Sequence, residues 1–251
     1  MTINKLIITV ALGALTLTGH ADDFAKDIEV KARLGYNIGG TAPVGLPATI
    51  RGLNSYHLQP NVSIGMDAIK PVSARWGVLV GLRFEGKGMH EDARVKNYHE
   101  EIVRGGETLA GQFTGDVTTK VKQWMFTIPL QATWSATPSL DFRLGPYLSI
   151  LTSKSFTGFA HNGYLRVGNP TGTKVMLGEE ESERGNYDFS EHMRPVQWGI
   201  NFGVDWYGHG RFGVFADLNW GLSGVHKSNF KTIEQTLYPI FATMGISYQI
   251  R

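Results

Sequence analysis

The sequence predicts an all-β fold: a transmembrane antiparallel up-and-down β-barrel, most simply of eight strands, with ten as the alternative count. Three observations lead there. A strict alternation of apolar and polar residues recurs eight times along the 251 residues, and a period of two marks a strand with two unlike faces. The connections between these runs alternate between short and long. The apolar faces carry more Trp, Phe, Ile and Leu than the interior of an eight-stranded barrel can hold, because that interior is only wide enough for side chains to fill. The apolar faces therefore point outward, into lipid.

The chain opens with Lys5, the apolar run Leu6 to Leu17 and the small residues Gly19 and Ala21. A short basic region, such a run and small residues before a cleavage point describe a secretory signal peptide. It is expected over residues 1–21, leaving a barrel domain over 22–251. The run is too short for a good helical anchor.

The first strand sets Ile28, Val30, Ala32, Leu34 and Tyr36 against Glu29, Lys31, Arg33, Gly35 and Asn37. The second runs from Leu58 to Ala68 and the third from Trp76 to Glu85, with a short link between them. The fourth spans Gln123 to Trp134 and the fifth Leu140 to Ile150, again closely joined. The sixth and seventh, Val196 to Trp206 and Phe212 to Trp220, form a hairpin through a Gly-rich turn. The last alternates Tyr238, Ile240, Ala242, Met244, Ile246, Tyr248 and Ile250 with Thr243, Gly245, Ser247 and Gln249.

Four long connections separate the pairs: roughly 38–56, 87–121, 156–194 and 223–235. Short turns on one side and long loops on the other are the pattern of an outer-membrane barrel, with turns in the periplasm and loops outside. Aromatic residues then fall into two girdles. Trp76, Trp134, Trp206 and Tyr248 are expected near the periplasmic interface, and Tyr36, Trp124, Trp198, Trp220 and Tyr238 near the outer one. Within the third long connection, residues 164–167 and 174–177 flank a Gly-Asn-Pro-Thr-Gly turn. They read as a hairpin above the membrane; used as a spanning pair, they would give the ten-stranded count.

The inward faces are rich in Gly, Ser, Asn and Gln and carry both signs of charge. Lys31, Arg33, Arg83, Glu85, Asp141 and Arg143 are expected to form a polar network in the lumen, together with Glu29, Asp67, Asp205 and Asp217, since buried charges must be paired. With no cysteine, disulfides, thiolate metal sites and cysteine catalysis are excluded. Without the leader the chain has 23 basic residues (24 less Lys5) against 22 acidic, and no clustered basic face points to nucleic acid.

From the opening Val30-Lys31-Ala32-Arg33-Leu34-Gly35-Tyr36-Asn37 to the final strand, the chain resembles the small outer-membrane β-barrel proteins, and among them the PorT-like family of Bacteroidetes. The resemblance implies a Gram-negative outer membrane, contact with its lipid and lipopolysaccharide, and no catalytic residues.

Candidate chemistry is sparse. The acidic run Glu179 to Glu183 lacks ligand spacing and reads as a solvated face rather than a calcium site. His90 and His99, each followed by acidic residues, do not have the spacing of a two-histidine zinc helix. Ser190, Glu191 and His192 are too close in sequence to converge as a triad. The expectation is an integral outer-membrane protein, monomeric, with no enzymatic activity, no cofactor and no metal. Its role would be structural, anchoring or interaction-based, through long extracellular loops that meet an extracellular or periplasmic protein partner. The alternatives are a loop-borne enzyme dependent on His90, His99 or His192, and a narrow channel whose conductance would change on Arg83→Ala.

Overall fold

The computed structural model describes residues 27–250 apart from 46, 209, 231 and 234. The expected signal peptide over 1–21 lies outside the described residues. Twelve strands follow in order: β1 (Glu29–Pro43), β2 (Ile50–His57), β3 (Val62–Pro71), β4 (Trp76–Gly86), β5 (Met89–Arg104), β6 (Glu107–Thr137), β7 (Leu140–Val167), β8 (Lys174–Leu177), β9 (Gly185–Asp188), β10 (Val196–Tyr207), β11 (Phe212–Gly221) and β12 (Leu237–Gln249).

Eight of them close a ring. β1 pairs with β3, β3 with β4, β4 with β6, β6 with β7, β7 with β10, β10 with β11, β11 with β12, and β12 returns to β1, every pair antiparallel. These eight are the strands that the alternation identifies. The register traced from Val30 through Ala68, Val80, Leu130, Pro146, Ile200, Trp220 and Ile240 comes back to Gly40, ten residues further along the same strand. A stagger of that size over eight strands, with standard rise and strand spacing, implies a tilt of about 40°, within the range of membrane barrels. β8 has four residues and pairs only with β7, so it spans nothing and eight is the count.

The faces are as expected for lipid. Leu34, Ile64, Leu130, Phe202 and Ile246 are exposed, whereas Arg33, Asp67, Gln131, Asn201 and Ser247 are buried. Aromatic pairs tie neighbouring strands on the outside: Trp76 with Trp134 at 6.4 Å between centroids, Phe84 with Trp124 at 5.3 Å, and Phe212 with Tyr248 at 4.8 Å. No helix among the described residues is long and apolar enough to cross a membrane; the crossing is made by strands.

The regions expected as long loops are mostly strand. β6 and β7 are 31 and 28 residues long, two to three times the roughly ten residues a tilted crossing needs. Their outer halves pair with each other from Trp124 and Ser153 up to Gly111 and Val167. β5 folds back on β6 through Gly105-Gly106, whose φ values of +59° and +85° suit the two-residue turn with both central residues at positive φ. β9 then pairs with β7 on one side and, at Val103 and Asn186, with β5 on the other. A second, smaller ring of β5, β6, β7 and β9 therefore stands on the first, and β2 and β8 flank it. It encloses Ile102, Phe113, Val117, Ala160, Leu165, Tyr187 and Phe189, all buried in one apolar cluster. Unlike the eight barrel strands, this second ring turns its apolar face inward.

Two smaller corrections follow. The second barrel strand begins at Val62 rather than Leu58; Pro60 offers no N–H to a ladder, and Leu58 is 64% exposed ahead of the strand. β1 continues past Tyr36 to Pro43, so Tyr36 sits mid-strand opposite Met244 and Val62. It lies inside the apolar band, not at the outer girdle, and its hydroxyl donates to the Gln59 carbonyl.

Candidate functional site

The lumen is filled, and three arginines fill its middle. Strands present inward residues at every second position, which brings Arg33, Arg83 and Arg143 to one level with Asp67, Asp205 and Asp217. Arg33 donates to both Asp205 oxygens at 2.9 and 2.8 Å and also ion-pairs with Asp67. Arg83 reaches Asp217 at 2.8 Å and Asp67 at 3.4 Å. Arg143 binds Asp205 through Nε at 2.7 Å and Asp217 at 2.6 Å, and donates to Gln131 at 3.2 Å. Three positive and three negative charges cancel within one buried cluster, which is the arrangement that makes buried ions tolerable.

Glycines make the room. A Cβ on Gly81 would fall onto Asp67, and one on Gly203 would fall onto Asp217 and the Arg143 guanidinium. The small inward residues of the sequence are thus the space into which the long charged ones lie.

Below this level, Lys31 lies 3.5 Å from Asp141 and 4.5 Å from the Tyr207 ring centroid. A cavity of about 630 Å³ at the turn end of the barrel is lined by these residues and is roofed by Arg143 and Asp205. Above it, Asn201 donates to Asn219 at 2.8 Å, Asn219 to Thr243 at 3.2 Å, and Thr243 to Asn37 at 2.5 Å. Glu85 then accepts from Thr127 at 2.6 Å and pairs with Lys87 at 2.9 Å, and Gln197 donates to Gln123 at 2.7 Å. The apolar cluster of the outer ring closes the top.

The six residues expected to form the lumen network are all in the barrel interior, but in three groups. Arg33, Arg83 and Arg143 belong to the central cluster, Lys31 and Asp141 to the lower end, and Glu85 to the upper end. Lys87 and the amide ladder were missed. Lys87 follows the last alternating residue of its strand, and amides carry no charge to flag a pairing. The girdle residues Trp76, Trp134, Trp206 and Tyr248 ring the turn end, with Trp124, Trp198, Trp220 and Tyr238 toward the outer end.

Outside the membrane, the candidate catalytic side chains do not assemble. The Ser190 hydroxyl accepts the Phe156 N–H at 2.9 Å, and the His192 ring stacks on Phe230 at 4.7 Å. His90 lies 4.8 Å from His57, ring to ring. Ser55 donates its proton to Asp92 at 2.6 Å, and its Oγ lies 3.4 Å from His57 Nε2. No group of three metal-ligating side chains occurs among the described residues.

Among the titratable groups outside the membrane, burial shifts Glu100 and His226 in opposite directions. Burial alone pushes the Glu100 carboxyl up to about 8, and its Oε2 has no hydrogen-bond partner. Burial pulls the His226 imidazole down to about 4, where it packs against Phe156 and Phe230 at 4.7 and 4.8 Å. A neutral His226 costs nothing above pH 6.5. As pH falls from 6.5 toward 4, the unfolded segment takes up a proton that the folded one refuses, so stability drops by ~3 kcal/mol. Amide protection at Met193 and His226, which bridge each other, taken relative to the intrinsic exchange rate at each pH, is expected to fall over that interval and to stay flat in His226→Phe.

The chain belongs to the family described as the outer membrane protein beta-barrel domain, which it matches over residues 20–227. It is an integral outer-membrane β-barrel protein. No curated protein matches the chain in sequence. Among solved structures, CarO2 of Acinetobacter baumannii is similar at 13% identity with a TM-score of 0.43, covering 88% of this chain and 98% of that one. Ail, the attachment invasion locus protein of Yersinia pestis, is similar at 8% identity with a TM-score of 0.35, covering 89% and 97%.

Proposed function

We propose that this protein is a closed, non-conducting anchor that holds a folded β-platform outside the outer membrane for contact with an extracellular protein. It does no chemistry of its own and acts as a monomer. Export by a leader of residues 1–21 that is removed on secretion, and kinship with the PorT-like group, complete the reading. The observation that carries it is the filled lumen: a charge-balanced plug of three arginines and three aspartates, under an apolar core that belongs to the platform. An eight-stranded barrel leaves no spare width for water beside such a plug.

Planar-bilayer recording tests it. Refolded protein is expected to insert and stay electrically silent. Discrete conductance steps that change on Arg83→Ala would replace the anchor with a narrow channel.

A further inference from the structure

A second cavity, of about 510 Å³, lies at the outer edge of the lipid-facing band, between the start of β10 and the connection from β11 to β12. Its lower wall is apolar and aromatic: Trp198 and Tyr238 of the outer girdle with Leu222, which is 41% exposed. Its upper wall carries Arg194 and Lys227.

These two cations differ from those in the barrel. Every lumen cation has a carboxylate partner. Arg194 instead donates Nε to the His226 carbonyl at 2.7 Å, and Lys227 donates Nζ to the Glu191 carbonyl at 2.8 Å. Backbone carbonyls hold both side chains in place without cancelling their charge, and neither has an ion pair among the described residues. Among the described residues nothing takes the terminal N–H groups of the Arg194 guanidinium, which form the fork that suits phosphate oxygens.

We infer that this cavity binds a phosphate group of an outer-leaflet glycolipid, with Arg194 and Lys227 on the phosphate and Trp198, Leu222 and Tyr238 along the acyl chain. The amphipathic layout decides the source. A free anion needs no apolar wall, whereas a lipid phosphate at the headgroup level brings its chain down past the girdle. Basic side chains at a membrane surface recognise anionic headgroups in this way. The inference rests on the outer-membrane reading.

The test uses the full-length mature protein refolded in detergent, with binding followed by native mass spectrometry in mixed micelles. The probes are diphosphoryl lipid A, its dephosphorylated form and inorganic phosphate. Diphosphoryl lipid A is expected to bind and the dephosphorylated form to bind weakly, with millimolar phosphate failing to compete. Arg194→Gln/Lys227→Gln is expected to lose about 30-fold in affinity, from two charges at the surface. Equal binding of both lipids, unchanged binding by the double variant, or full competition by phosphate would each overturn the site. Lys227 is exposed, so Lys227→Gln alone provides a variant whose folding is not at issue, with a loss of about fivefold expected. Heat-dependent gel mobility, run alongside, reports on the barrel itself: a wild-type chain that shows no shift would fail the outer-membrane reading rather than this site.

Discussion

Arg143→Met is expected to destabilise the barrel by ~3–5 kcal/mol, read as a lower denaturant midpoint in detergent micelles with the slope unchanged. Arg143 is fully buried and bonds two of the three central aspartates. Its removal leaves Asp67, Asp205 and Asp217 facing only Arg33 and Arg83. One uncompensated carboxylate then sits in the buried cluster, and its desolvation, more than the lost hydrogen bonds, sets the cost. Adding Asp217→Asn restores the charge balance, so the double variant is expected to recover a large part of the loss. A cost below about 1 kcal/mol for Arg143→Met would show that the lumen is hydrated and the plug open.

The second large effect concerns Glu100 and has the opposite sign. Its carboxyl is protonated in the folded ring up to about pH 8, while in an unfolded segment it ionises near its ordinary value of about 4.3. The stability of the outer ring is therefore full at low pH and falls as pH rises between those two values, by on the order of 5 kcal/mol in all. Glu91, raised to about 7 by burial and by Asp92, adds to the same trend, and His226 is silent above pH 6.5. Between pH 6.5 and 8.5 the wild-type ring is expected to lose ~2 kcal/mol through Glu100, measured by amide exchange in β5 and β9. Glu100→Gln should be the more stable protein at pH 8.5 and should lose most of that slope. Identical slopes in the two proteins would mean that Glu100 is solvated.

The barrel strands were legible because lipid imposes one rule on all eight. Outward residues must be apolar and inward charges must be paired, so the alternation in Trp198 to Trp206 or Phe126 to Trp134 is plain to read. The lumen arginines were legible for the same reason: a charge on the inward face of a membrane strand needs a partner. The outer ring obeys a softer rule. Its inward residues, such as Val117 and Val121, alternate with the exposed Lys120 and Lys122, and that outer face meets water and tolerates many residue types. Gly105-Gly106 was a local signal of a hairpin there, as was the turn between 164–167 and 174–177, which the structure forms as β7 and β8. The pairing of β9 with β5 joins residues more than eighty positions apart through a single register pair, and no local pattern encodes such a contact. The same holds for the phosphate cavity, whose two cations come from different connections.

The two rings differ in how they are sewn. Each seam of the membrane ring is a long ladder, whereas among the described residues the outer ring is shut between β5 and β9 by one backbone register pair, Val103 and Asn186. Under a pulling force on the platform, that junction parts first, and the ring opens into a curled sheet still rooted in the barrel by β6 and β7. The freed edges of β5 and β9 would then offer unpaired backbone groups to another chain.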